Sequence, residues 1–134
     1  MQGNTITLAV DKLNDANLVD EVYTDHRSST PNRSDYIRTG HTPMMRKLMQ
    51  LYRSVAKRSG AFRGVNRSTV KFTEDIEVPN ADGDGTVVQP HIIEILEHAP
   101  VGTTPAQTLE MRQRAIAFLD NDAIAAPLHD LLEI

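Results

Sequence analysis

Nine cationic side chains fall between residues 36 and 73, and no carboxylate lies among them. They are Arg38, Arg46, Lys47, Arg53, Lys57, Arg58, Arg63, Arg67 and Lys71. The guanidinium fork pairs with phosphate through two parallel hydrogen bonds, and ammonium groups add point charge. Tyr36, Tyr52 and Phe62 lie in the same window and offer rings on which unpaired bases stack. The rest of the chain is acidic: residues 1–35 carry three bases against six acids, residues 74–134 two against twelve, and the whole is −4. A block of +9 within an acidic protein sets a local positive field, the electrostatic footprint of a polyanion site. The competing reading is a solvated basic surface with no specific ligand.

Other chemistry is sparse. ADGDGT (Ala81–Thr86) resembles half of a calcium loop, with Asp82 and Asp84 as oxygen donors. It lacks the later bidentate Glu and the flanking helices, so a soluble flexible turn is the favoured reading and calcium at Asp82 and Asp84 a weak one. His91 and Glu94 stand three apart on a strand pattern and face opposite ways, which argues against joint ligation. Cysteine is absent, which excludes disulfides and thiolate chemistry. No phosphate loop, nucleophile elbow, zinc spacing or catalytic carboxylate pair is found, so no enzyme and no cofactor are expected. MQGNTITLAV lacks the basic and apolar regions of a signal peptide, and no apolar run is long enough for a bilayer.

The elements that must position the cations are read from periodicity. Thr5–Val10 alternates, with Ile6, Leu8 and Val10 on one face, and Leu18–Thr24 gives it a hairpin partner. His26–Ser34 reads as a loop and Tyr36–Arg38 as a short strand. Met44–Lys57 is ambiguous. Met45, Leu48, Met49, Tyr52 and Val55 recur at helical steps, and this periodicity favours a helix over a strand. Ser59–Ser68 reads as a turn. Val70–Val78 is a clear strand, with Lys71, Thr73, Asp75 and Glu77 on its polar face. Pro79–Pro90 reads as a long loop with two Asp-Gly steps. His91–Ala99 returns as a strand. Thr104, Pro105 and Gln107 then form a capping box that opens a helix. Asp120–Asp122 ends it, and Ala123–Leu132 reads as a second helix. Strands followed by helices indicate an α+β fold with an antiparallel sheet. With aromatics at 4% and no Trp, the core is small, and a second copy is expected to complete it.

The run STVKFTEDIEVP, the loop NADGDGTVVQ, and then PHIIEILEHAPVGTTPAQTLEMRQRAIAFLDNDAIAAPLHDLLEI resembles the coat proteins of single-stranded RNA bacteriophages, the leviviruses. TITLAVDKLND and DEVYTDHRSS are similar to the N-terminal hairpin of that group. The resemblance covers nearly the whole chain and is most specific from Val70 to Ile134.

The resemblance implies one coat-protein domain over residues 1–134, with a hairpin in 1–26, a five-stranded antiparallel sheet in 33–100 and two helices in 103–134. It assigns Met45–Lys57 to a strand, against the periodicity. Two copies would pair edge to edge into a ten-stranded sheet, each laying its helices across its partner. Leu109, Ile116, Leu119, Leu128 and Leu131 would line that dimer interface. Dimers would build an icosahedral shell, T=3 in the group, meeting through Asn80, Asp82, Gly83, Asp84 and Gly85. Arg46, Gln50, Tyr52, Ser54, Lys71 and Thr73 would face the RNA genome, and an operator hairpin whose binding represses replicase translation. The implied location is the virion, assembled in the cytoplasm of a bacterial host. A small cytoplasmic RNA-binding regulatory dimer that forms no shell is the alternative.

Overall fold

The computed structural model describes residues 5–26, 32–121 and 123–125. Six strands run in chain order across one antiparallel sheet: β1 (Thr5–Val10), β2 (Val19–Asp25), β3 (Arg33–Arg38), β4 (Lys47–Ser54), β5 (Val65–Pro79) and β6 (Thr86–Pro100). Helix α1 (Pro105–Leu119) follows. Each strand pairs only with its sequence neighbours, so the topology is a plain meander.

The β1–β2 hairpin is closed by Asp11, whose carboxylate accepts from the backbone N–H groups of Asp15 and Ala16 at 3.0 and 2.9 Å. It is not a separate unit, because Thr24 of β2 stands opposite Ile37 of β3. Residues 33–100 therefore contribute four strands rather than the expected five, two of them fifteen residues long. The expected loop to Ser34 ends earlier, since β3 starts at Arg33, and the expected turn to Ser68 gives way to β5 at Val65. The Pro79–Pro90 loop shrinks to residues 80–85. Thr86, Val87 and Val88 are β-branched, and Val87 pairs with Val78.

Met44–Lys57 also departs from its periodicity. Residues 47–54 are strand, with Met49 opposite Tyr36 on one side and Phe72 on the other. A central strand gains a ladder of backbone hydrogen bonds on both edges, which outweighs a weak helical pattern.

Directly opposed residues share a face, and the face alternates along each strand. Tyr23, Tyr36 and Met49 form the buried core, flanked by Ile6, Leu8, Leu51, Val70 and Phe72. Tyr36 is 1% exposed, so burial pushes its phenol up and removes its ring from any ligand. Its expected stacking role is thereby corrected. The core face also carries an ion-pair chain: Lys12 to Glu21, Glu21 to Arg38, Arg38 to Glu74, and Glu74 to Lys47. Burial would raise the Glu74 carboxyl, but Lys47 and Arg38 overcome it and hold the group below its ordinary range.

Helix α1 begins with the expected capping box: Thr104 Oγ1 accepts from the Gln107 N–H, and Gln107 Oε1 accepts from the Thr104 N–H at 3.0 Å. It ends at Asp120, and residues 123–125 form a further helical turn. The remainder of the expected second helix, with Leu128 and Leu131, lies outside the described residues.

Candidate nucleic-acid interface

The polar face opposite the core is built by four adjacent strands. Register places Gln50 between Asp35 and Lys71, and Tyr52 between Arg33 and Thr69. Leu48 stands opposite Thr73, and Ser54 opposite Arg67. Gln50, Tyr52, Ser54, Lys71 and Thr73 thus share one face, and Arg46, just before β4, reaches the same face through Asp75. The strand alternation brings together all six residues expected to meet RNA.

Their charges are largely compensated. Arg46 grips Asp75 through Nε and Nη2 at 2.9 and 3.0 Å, and its backbone N–H adds a third bond at 2.9 Å. These bonds hold the Asp75 carboxyl below its ordinary value, against the upward push of burial. Lys71 Nζ lies 3.9 Å from a Glu94 carboxylate oxygen. Thr73 is buried. Arg33, which sequence reasoning did not select, pairs with Asp35 at 3.0 and 3.1 Å and sits 5.2 Å from the Tyr52 ring centroid. A guanidinium already covers the ring face expected to stack a base.

The nine cations do not converge on one face. Arg38, Lys47 and Arg53 belong to the core face by register. Arg38, Arg46, Lys47 and Lys71 are held in ion pairs. Among the described residues, Lys57, Arg63 and Arg67 make no side-chain hydrogen bond or ion pair, and Arg58 bonds only the Gly60 carbonyl, at 3.2 Å. These four cluster at one end of the sheet, on the β4–β5 turn and the first strand residues after it.

That turn is firmly built. Ser59 and Phe62 exchange backbone hydrogen bonds at 2.9 and 3.1 Å, and Asn66 Oδ1 accepts from the Ala56 N–H at 3.0 Å. Gly64 is buried at φ +94, where an added Cβ would meet the Lys57 carbonyl oxygen at 2.5 Å. Its own carbonyl accepts from Val101 N–H at 3.0 Å, tying the turn to the chain leading into α1. Phe62, on the same turn, is 55% exposed, so of Tyr36, Tyr52 and Phe62 it is the one whose ring stands open. An end-of-sheet rim that carries four cations without an ion pair and an exposed ring on one turn can hold a flexible polyanion by phosphate contact and stacking. The signal legible in the sequence was the absence of any carboxylate between residues 36 and 73.

The other expected sites are plainly located. Residues 80–85 form a closed hairpin loop, with the Asn80 N–H donating to the Gly85 carbonyl at 3.0 Å and the Gly83 N–H to the Asn80 carbonyl at 2.9 Å. Gly83 and Gly85 take positive φ values of 71 and 86 there. Asp82 and Asp84 belong to no cluster of three metal-type ligands among the described residues. Leu109, Ile116 and Leu119 are 47, 50 and 43% exposed, and no residue of α1 is buried. The helix carries its apolar side chains without laying them on its own sheet. No described helix is long and apolar enough to cross a membrane.

No protein-family model matches the chain, and no curated protein does. Solved structures do. The chain superposes on the virus-like particle of bacteriophage AVE019 with a TM-score of 0.76 at 16% identity, covering 100% of this chain and 99% of that one. For the virus-like particle of Wenzhou levi-like virus 4 the TM-score is 0.68 at 18% identity, over 93% and 83%. For the bacteriophage EMS014 coat protein it is 0.61 at 15%, over 89% and 74%. At these identities the likeness is one of fold, and the fold of this chain is that of levi-like particle subunits.

Proposed function

We propose that the chain is the coat protein of a single-stranded RNA bacteriophage, a shell subunit without catalytic activity that works as a two-fold dimer. The observation that carries the reading is α1. It is a capped fifteen-residue helix whose apolar side chains stay uncovered by its own sheet, in a chain with the fold of particle subunits. Fully burying such side chains stabilises by about 1.5–3 kcal/mol each, so leaving five or more in water is unfavourable without a partner. A second copy supplies the cover. Each α1 lies across the partner's sheet through Leu109, Ile116 and Leu119, joined by Leu128 and Leu131, and the β6 edges meet to form one continuous sheet.

Dimers then assemble into an icosahedral T=3 shell through Asn80, Asp82, Gly83, Asp84 and Gly85. Two positive-φ glycines in a six-residue loop suit contacts that must adapt between non-identical positions. RNA enters by charge neutralisation at Lys57, Arg58, Arg63 and Arg67. Arg46, Gln50, Tyr52, Ser54 and Lys71, with the buried Thr73 supporting them from within the same face, present the surface that meets the folded genome and an operator hairpin, through which replicase translation is repressed. The protein resides in the virion after assembly in the host cytoplasm.

The test is expression of the full chain in bacteria, with negative-stain microscopy and extraction of nucleic acid from purified particles. Regular shells containing RNA are expected, and small soluble species under every salt condition would overturn the reading. Deleting Asp82–Gly85 separates it from the regulatory dimer: a shell protein loses particles and keeps dimers, whereas a regulator is unaffected in assembly state.

A further inference from the structure

Strand β6 is the last in the sheet, and among the described residues only β5 pairs with it. Its free edge is fifteen residues long, with Ile93 and Ile95 exposed on one face and Ile92 and Leu96 on the other. A long apolar edge of this kind pairs with another strand or aggregates. What the edge accepts is written in its order of side chains. His91, Ile92, Ile93, Glu94, Ile95, Leu96 and Glu97 read the same from either end in chemical character: charged or polar, two apolar, charged, two apolar, charged.

We infer that a second copy pairs antiparallel along β6 with the two-fold axis at Glu94, so that His91 faces the partner's Glu97. The inference rests on the coat-dimer reading and fixes its register. A two-fold axis perpendicular to the sheet keeps each face on its own side, so opposed residues share parity and the axis must pass through a residue. At Glu94, Ile93 meets the partner's Ile95, Ile92 meets the partner's Leu96, and both acid–histidine pairs form. Centring on Ile95 instead opposes Glu94 to the partner's Leu96 and Glu97 to the partner's Ile93. Centring on Ile93 opposes Glu94 to the partner's Ile92 and His91 to the partner's Ile95. Centring on Leu96 restores a Glu94–His98 match but opposes Ile95 to the partner's Glu97 and shortens the overlap. Only the Glu94 axis matches apolar with apolar and acid with base together.

Its one adverse contact is the pair of Glu94 carboxylates across the axis. Each lies beside the Lys71 of its own copy at 3.9 Å, and Lys71 stands directly opposite Glu94 in the register. Two attractions to the partner's Lys71 at about 9 Å offset one carboxylate repulsion at about 5 Å, because the Coulomb term falls only as 1/r. The two Lys71 ammoniums, about 14 Å apart, add a smaller repulsion, so the row Lys71, Glu94, Glu94, Lys71 keeps across the axis only about a third of the repulsion of the bare carboxylate pair.

Cysteine is absent from the chain, so single-cysteine variants read the register directly. Residues opposed at the axis have Cα atoms about 4.5–5.5 Å apart, inside the disulfide range, whereas a one-residue shift moves them to about 8 Å, beyond it. Ile93→Cys, Glu94→Cys, Ile95→Cys and Leu96→Cys full-length proteins are oxidised mildly and run on non-reducing gels. Glu94→Cys is expected to convert to a covalent dimer, and the other three are not. As a second readout, His91→Cys co-assembled with Glu97→Cys gives a mixed covalent dimer, while neither variant alone does. Bridging at Ile93, Ile95 or Leu96 in place of Glu94, or stable dimers that bridge at none, overturns this register and leaves the coat dimer standing. A wild-type chain that remains monomeric overturns both.

Discussion

Removing the four unpaired cations tests the charge argument most sharply. Lys57, Arg58, Arg63 and Arg67 make no ion pair among the described residues, so each is available to displace a counterion from one phosphate. On single strands each neutralised phosphate contributes about 0.7 to the slope of log affinity against log salt. Replacing all four by Gln is therefore expected to flatten that slope by about three units, and to weaken binding at 0.1 M salt about a thousandfold. The control is Arg46→Gln with Lys71→Gln. Those cations are already neutralised by Asp75 and Glu94, so the slope should fall by less than about one unit. Fluorescence anisotropy of a labelled, unstructured RNA, titrated from low to high salt, reads both. A slope unchanged by the fourfold replacement, or lost in the control, would refute the assignment of RNA neutralisation to the rim.

Three further outcomes follow from local geometry. Thr104→Ala removes the side-chain acceptor of the capping box and should cost about 1 kcal/mol, measured as a lower Tm of the dimer and a loss of helical circular dichroism. Gly64→Ala drives a Cβ against the Lys57 carbonyl at φ +94 and should cost about 1–3 kcal/mol in urea unfolding. Gly60→Ala has open space around it and should cost less. For acid, the Asp75 carboxyl is depressed in the folded state by Arg46. Its stabilisation is complete above the unfolded value and lost as pH falls through the folded one, below about pH 4. Arg46→Gln should raise the midpoint of acid unfolding. His41, lowered mainly by burial, then by His26 and Arg46, accepts the Lys47 N–H on Nδ1 at 3.0 Å. Its contribution disappears earlier, as pH falls below about 6.5. Thermal melts across pH measure both limbs.

The amino-acid order by itself determined the elements with strong local signals. The Thr5–Val10 strand, the hairpin that follows it, the polar face of Lys71, Thr73 and Asp75, and the Thr104–Gln107 cap all rest on alternation or capping chemistry that needs no distant partner. The order of motifs also carried the likeness to phage coat proteins, and the fold agrees with it. Tertiary structure decided the rest. Residues 47–54 are strand because neighbours on both edges outbid a helical period, and β5 and β6 extend because they pair with each other through fifteen residues. Charge was the least legible quantity. Nine cations in one window look equivalent in one dimension, yet carboxylates distant in sequence, Glu21, Glu74, Asp75 and Glu94, neutralise four of them. Coulomb pairing depends on distance in space, so only the folded sheet separates the cations that hold the protein together from those free to meet a ligand.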